Sequence, residues 1–265
     1  MSGQFKRIVV KFCADFLIRF VANYKIIIQY DGTDYSGWQI QKNAVTVQQI
    51  LTEKISLILR EKDLIITGSG RTDAGVHSLG QTANFKTDII KDIGKFMHSL
   101  NSILPKDISV NSLEEVSEEF NARFSAKKRS YFYILNFAKS PFYEKYTWYD
   151  SRFENLDIEK LNRAAKILKG INDFTSFSRK DEEKMNKNCE IFEASWRKKG
   201  NLVLFYIEAN RFLRGMVRAI TGTMLKAVNQ DEPGKYIKNI LEAADRSSAD
   251  ESVPAKGLFL YKVKY

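Results

Sequence analysis

The order in which apolar periodicity changes between residues 25 and 116 narrows the possible folds of this chain more than any other feature. Lys25 to Tyr30 alternates as a strand, Val47 to Arg60 follows helical spacing, and Leu64 to Thr67 and Gln81 to Phe85 are short β-branched or aromatic runs. A helix over Ile89 to Ile103 and a strand over Ile108 to Val116 complete a βαββαβ order, the ferredoxin-like α+β pattern. Pro105 disfavours helical geometry at Leu104 and so ends the second helix. Downstream, the periodicity predicts a strand over Tyr131 to Leu135, a helix over Leu156 to Leu168, and strands over Ile191 to Arg197 and Leu202 to Glu208. Helices over Arg211 to Val228 and Gly234 to Ala244 and a closing strand over Leu258 to Val263 follow. The expected organisation is an extension over 1–23, an α+β domain over 24–116 and a second α+β domain over 117–265.

Between two of those strands lies Gly68-Ser69-Gly70-Arg71-Thr72-Asp73-Ala74-Gly75-Val76-His77-Ser78-Leu79-Gly80-Gln81. Four of the chain's 14 glycines fall here, so the backbone can take positive φ and admit a ligand closely. An acid held on a turn between strands is a candidate for chemistry, although Asp in such a loop is ordinarily a turn former bonded to nearby N–H groups. Gly68-Ser69-Gly70 lacks the third glycine of a dinucleotide fingerprint and the Gly-Lys-Ser/Thr ending of a phosphate loop.

Composition narrows the partners. With 265 residues, 44% hydrophobic and 12% aromatic, the chain can bury a sizeable core. Lys+Arg at 42 against Asp+Glu at 32 gives a net charge of +10, which favours a polyanionic partner such as nucleic acid. Cys13 and Cys189 lie far apart, and His77 and His98 are the two histidines, so neither a structural metal site nor a disulfide framework is expected and a reduced, cytoplasmic setting fits. Lys6, Arg7, Lys11, Asp15 and Arg19 interrupt the apolar N-terminus, which excludes a membrane span there and leaves an amphipathic helix over Phe5 to Ala22. His98 reads as a helix-surface or half-buried residue; His77 is ambiguous.

Three further basic stretches stand out. Arg123, Lys127, Lys128 and Arg129 run into Tyr131-Phe132-Tyr133, and cations beside flat rings suit RNA, where phosphates and splayed bases are bound together. Alternation puts Tyr131 and Tyr133 on one face and Phe132 and Ile134 on the other, with Tyr133 assigned to a core. Arg211, Arg214 and Arg218 fall in a narrow arc of a helical wheel at about 100° per residue, beside Gly215, Ala219 and Gly222. An arginine from that arc could pair with Asp73; alternatively the arginines form a solvated flank. Ser178 to Asn188 reads as a surface insertion.

Taken as ordered blocks, Tyr30-Asp31-Gly32-Thr33-Asp34-Tyr35-Ser36-Gly37-Trp38-Gln39, Gly70-Arg71-Thr72-Asp73-Ala74-Gly75-Val76-His77, Phe120-Asn121-Ala122-Arg123-Phe124-Ser125-Ala126, Asp173-Phe174-Thr175-Ser176-Phe177, Phe212-Leu213-Arg214-Gly215-Met216-Val217-Arg218 and Pro254-Ala255-Lys256-Gly257-Leu258 resemble the tRNA pseudouridine synthases of the A type. The resemblance spans Tyr24 to Tyr265. It implies a pseudouridine synthase fold of two ferredoxin-like-related halves, antiparallel sheets flanked by helices, and a central active-site cleft. It also implies a cofactor-free and metal-free homodimer that acts on uridines thirty-eight to forty of the tRNA anticodon stem-loop. Carried over by position, it makes Asp73 the catalytic carboxylate, Arg71 the residue that helps extrude the target nucleotide, Tyr131 the ring against the uracil, and Arg218 the partner of Asp73. His77, Arg123, Lys127, Lys128, Arg129, Arg211 and Arg214 are the expected additional RNA contacts. Asn121 stands where a His is common in the family, and Ser78 where Ala is common.

The chemistry agrees with the residue inventory. Converting uridine to pseudouridine breaks N1–C1′, turns the base and joins C5 to C1′, without net oxidation. A carboxylate can add to C1′ or take the 2′ proton towards a glycal, and the sequence leaves both routes open.

Overall fold

The structure is a computed structural model that describes residues 21–179 and 186–265. The helix expected over Phe5 to Ala22 falls outside the described residues except for Val21 and Ala22, which open a strand; the 178–188 segment is described only in part.

The first half comprises β1 (Val21–Tyr30), α1 (Val47–Leu59), β2 (Thr67–Gly68), β3 (His77–Asp88), α2 (Ile93–Ile103) and β4 (Ile108–Val116). The second comprises β5 (Lys128–Asn136), β6 (Trp148–Tyr149), α3 (Ile158–Ala165), β7 (Gly170–Asp173), β8 (Asn188–Lys199), β9 (Leu202–Ala209), α4 (Met216–Ala227), α5 (Pro233–Ala243) and β10 (Leu258–Lys264). Strands β4, β1 and β3 lie side by side with β2 on β3, the ferredoxin-like order; β10, β5, β9 and β8 repeat that order in the second half. The two sheets are not separate. A parallel pairing of Phe259 with His77 and Leu260 with Ser78 joins β10 to β3 and makes one ten-stranded sheet.

Caps move the helix starts from where periodicity alone puts them. Asp92 accepts from the Lys95 N–H at 2.8 Å, so α2 starts at Ile93 rather than Ile89. Asp157 does the same for Lys160, starting α3 at Ile158, and the helix tightens into a 3₁₀ turn at Lys166–Leu168. The largest correction concerns the arginine-bearing helix. It begins at Met216, after Gly215 with φ +73°, so Arg211 and Arg214 belong to the preceding loop and do not share a helical face with Arg218.

Register decides which face carries the site. Tyr30 pairs with Ser78, Ser78 with Leu260, and Leu260 with Tyr131, so these four side chains lie in one row on one face. Tyr30 belongs to the core that β1, β3 and β4 build with Val47, Leu51 and Ile55 of α1, and Phe96 and Leu100 of α2. Tyr131 belongs to the core built with α3, α4 and α5. All five helices therefore cover the same face, and the site lies between the two helical layers. Tyr133 is fully buried, as alternation predicts, and His98 is exposed on α2.

Candidate active site

Asp73 sits on the loop between β2 and β3, and that loop is bonded at Ser69, Gly70, Thr72, Gly75 and Val76. The Ser69 N–H donates to Thr82 O at 2.7 Å, the Ser69 hydroxyl donates to Gln81 Oε1 at 2.7 Å, and Gln81 Nε2 donates to Gly70 O at 3.0 Å. The first sequence block forms its cradle. The Trp38 N–H donates to Thr72 O at 3.2 Å, the Gly75 N–H to Tyr35 O at 3.3 Å, and the Tyr30 hydroxyl lies 2.9 Å from Thr72 Oγ1. Gly37, at φ +90°, approaches so closely that a Cβ would sit 2.4 Å from Thr72 O. The last turn closes through Val76 N–H to Asp73 O at 3.2 Å.

The Asp73 side chain is 21% exposed and meets two guanidinium groups. Arg218 Nη1 lies 3.6 Å from Oδ2, and Arg214 Nε lies 4.0 Å from Oδ1. Arg218 is itself held by its Nε donating to Val253 O at 2.7 Å. Losing the common helical face does not separate these arginines from the acid, because the turn at Gly215 brings the loop and the helix to it from adjacent directions. The contacts are ion pairs rather than short hydrogen bonds, and among the described residues these two guanidinium groups are the partners of the carboxylate oxygens.

Tyr131 occupies the same face, 7% exposed, with its ring packed edge-on against Phe212 at 5.0 Å. Burial pushes its phenol up to about 12; Arg129 pulls the other way and Asp73 adds to the rise. At neutral pH Tyr131 is therefore a protonated phenol with one flat face. Arg71 is exposed and has no ion-pair partner among the described residues. Arg123 and Lys127 are exposed near the start of β5, with the Arg123 guanidinium 5.4 Å from the Phe124 ring centroid, and Arg211 is half-buried.

Of the residues expected to contact RNA, two lie on the reverse face and a third is bonded internally. Lys128 precedes Arg129 on β5 and so points to the opposite face, 3.4 Å from Glu208 and over the Phe192 ring at 4.1 Å. His77 is 1% exposed on that same reverse face, stacked on Phe259 at 4.6 Å. Asp31 Oδ1 lies 3.0 Å from His77 Nδ1, a distance that would suit a charged pair. However, the Gly32 N–H donates to Nδ1 at 3.0 Å, and burial lowers the affinity of the ring for a second proton. The ring is thus neutral with its proton on Nε2, facing the carbonyls of Lys145 at 3.1 Å and Lys256 at 3.2 Å. Arg129 is the third: all its donors are used on main-chain carbonyls, including Ser69 O at 2.8 Å.

Sequence reasoning missed the cradle of Tyr30, Tyr35, Gly37 and Trp38 as a support of Asp73; its signal was the glycine-bearing block itself. Among the described residues no group of three His, Cys, Asp or Glu side chains is placed to hold a metal ion, and no helix is long and apolar enough to cross a membrane.

Known proteins resemble this chain over most of its length. A family model described as tRNA pseudouridine synthase matches residues 26–125 and 164–265. A tRNA pseudouridine synthase A of Brachyspira hyodysenteriae is 41% identical over 240 residues, covering 89% of this chain and 96% of that protein. Proteins of the same name from Thermoanaerobacter sp. and Parabacteroides distasonis are 39% and 40% identical, covering 92% and 91% of this chain and 99% and 95% of theirs. A match over both halves, including the Asp73 loop and the arginines that face it, makes this chain a member of the tRNA pseudouridine synthase family.

Proposed function

We propose that this protein isomerises uridine to pseudouridine in tRNA, at positions thirty-eight to forty of the anticodon stem-loop, with Asp73 as the catalytic carboxylate. The observation that carries the reading is the ion-paired Asp73, presented beside Tyr131 on a rigidly bonded loop. In the reaction the N1–C1′ bond breaks, the freed uracil turns against the Tyr131 ring, C5 joins C1′, and the C5 proton leaves as N1 gains one. Asp73 serves either by adding to C1′ or by accepting the 2′ proton, and Arg218 balances its charge in both routes.

The target base must leave its stack, at a cost of a few kcal/mol. Arg71, exposed two residues before Asp73, fills the vacated position and binds phosphate. Arg123, Lys127, Arg211 and Arg214 carry further phosphate contacts. The protein works without cofactor or metal, as a cytoplasmic homodimer whose chain divides into halves at 24–116 and 117–265. Sedimentation of the purified chain tests the dimer.

A nucleoside glycosidase would need a second acid for the leaving group. Asp31 or Asp34 could supply one only from close by; Asp31 is committed to the Thr33 N–H and hydroxyl and to the Tyr146 hydroxyl, and this favours the isomerase. The decisive experiment uses tRNA transcript tritiated at uracil C5, with pseudouridine mapped by position. Wild type should release tritium, and Asp73→Asn should bind tRNA without release. No release by wild type from any competent tRNA would overturn the assignment in favour of a noncatalytic RNA binder.

A further inference from the structure

Arg129 combines features that an RNA-binding arginine would not show. A guanidinium has five N–H donors in a fixed planar fork, and here each one meets a main-chain carbonyl. Nε and Nη2 both donate to Ser69 O, at 3.1 and 2.8 Å; Nη2 also donates to Arg123 O at 2.7 Å. Nη1 donates to Asn210 O at 2.9 Å and, at the limit of hydrogen-bond range, to Ala126 O at 3.5 Å. No donor is left for phosphate. No carboxylate of the described residues pairs with it, so the half-buried charge is balanced by carbonyl dipoles alone.

Those carbonyls belong to three segments that meet only in the folded chain. Ser69 opens the loop that presents Arg71 and Asp73. Arg123 and Ala126 lie in the link before β5. Asn210 follows β9 and leads into the segment carrying Phe212 and Arg214. Asn210 is itself anchored, its N–H donating to Glu190 O and its Oδ1 accepting from the Glu190 N–H, both at 3.0 Å. Arg129 thus ties the acid-bearing loop of the first half to the arginine-bearing loop of the second. It stands two residues before Tyr131 on the same face of β5.

We propose that Arg129 is a positioning residue: it sets the spacing of Asp73, Tyr131 and Arg214 by holding the Ser69 and Asn210 carbonyls, and it does not contact RNA. Its catalytic consequence rests on the isomerase reading above; its geometric consequence does not. A lysine keeps the charge and most of the stem, but its compact ammonium cannot span carbonyls lying in three directions.

The test uses full-length Arg129→Lys and Arg129→Gln, checked for folding by circular dichroism and melting. Hydrogen–deuterium exchange comes first, because it needs no activity. The expected result is faster exchange confined to residues 69–76 and 210–215, with α1 to α5 unchanged; wild-type exchange rates in both loops would overturn the proposal. Tritium release with tRNA as the varied substrate comes second. The expected result is a kcat lowered by roughly tenfold to a hundredfold, the scale of a misplaced reacting group, with KM within about threefold and an unchanged salt slope of tRNA binding. A raised KM with an intact kcat and a slope reduced by about one would make Arg129 a phosphate ligand and overturn the proposal. Global unfolding of both variants would place Arg129 in general fold stability and overturn it as well. Wild type that releases no tritium would count against the isomerase reading alone, and the exchange data would still decide the role of Arg129.

Discussion

Arg218 and Asp73 meet across the join between the two halves, Nη1 to Oδ2 at 3.6 Å, although 145 positions of sequence separate them. Arg218 is only 17% exposed on its side chain and is braced by Val253 O, so its charge is delivered to one place. Arg218→Gln should lower kcat by about a hundredfold, the scale of losing one preorganised electrostatic contact, while tRNA affinity changes little. Single-turnover tritium release, together with filter binding, checks both parts.

Tyr131, with its phenol pushed up to about 12 by burial, stays protonated through the working range. The pH–rate profile between 6 and 9 should therefore contain no step that disappears in Tyr131→Phe. A step of that kind near pH 8 would mean that the phenol ionises during turnover.

His77 provides a stability switch. Its folded ring, kept neutral mainly by burial, takes up a proton less readily than the ordinary histidine near 6.5. As pH falls below about 6.5 the unfolded chain binds a proton that the folded chain resists, so stability present at higher pH is lost until the folded ring itself protonates. The melting temperature of wild type should fall between pH 7.5 and 5.5 by more than that of His77→Gln. At pH 7.5 His77→Gln should be the less stable protein, by about 1–3 kcal/mol, because Gly32, Lys145 and Lys256 lose partners.

Gly37→Ala combines an unfavourable φ of +90° with a Cβ 2.4 Å from Thr72 O. It should destabilise by at least about 1–3 kcal/mol. It should also lower activity in the surviving folded protein, because the displaced atom is one residue from Asp73. Denaturant melts and tritium release on the same preparation separate the two effects.

Lys128 and Arg71 should behave oppositely in salt titrations. Lys128 lies on the reverse face against Glu208, so Lys128→Ala should leave the salt slope of tRNA binding unchanged. Arg71→Ala should reduce that slope by about one phosphate. Equal effects of the two substitutions would contradict the assignment of faces.

The basic run before Tyr131 shows where sequence reading stops. Its composition pointed to RNA, and its alternation was legible enough to pair Tyr131 with Tyr133. Which face looks into the cleft depends on the row Tyr30, Ser78, Leu260 and Tyr131, and those partners come from four strands scattered along the chain. Lys128 and Arg129 are adjacent and equally basic; only the pairing sends one to Glu208 and the other to Ser69 O.

Local chemistry written in neighbouring residues was readable without coordinates: the βαββαβ order of the first half, most element positions, the glycine-rich loop carrying Asp73, and the ordered blocks that resemble the family. Tertiary structure alone decided that the halves share one sheet, that Gly215 breaks the arginine run before α4, that His77 is a buried neutral ring, and that the guanidinium of Arg129 is consumed by carbonyls. Each of these depends on which backbone groups from distant segments remain to be satisfied once the strands have paired, and that is a property of the folded chain as a whole.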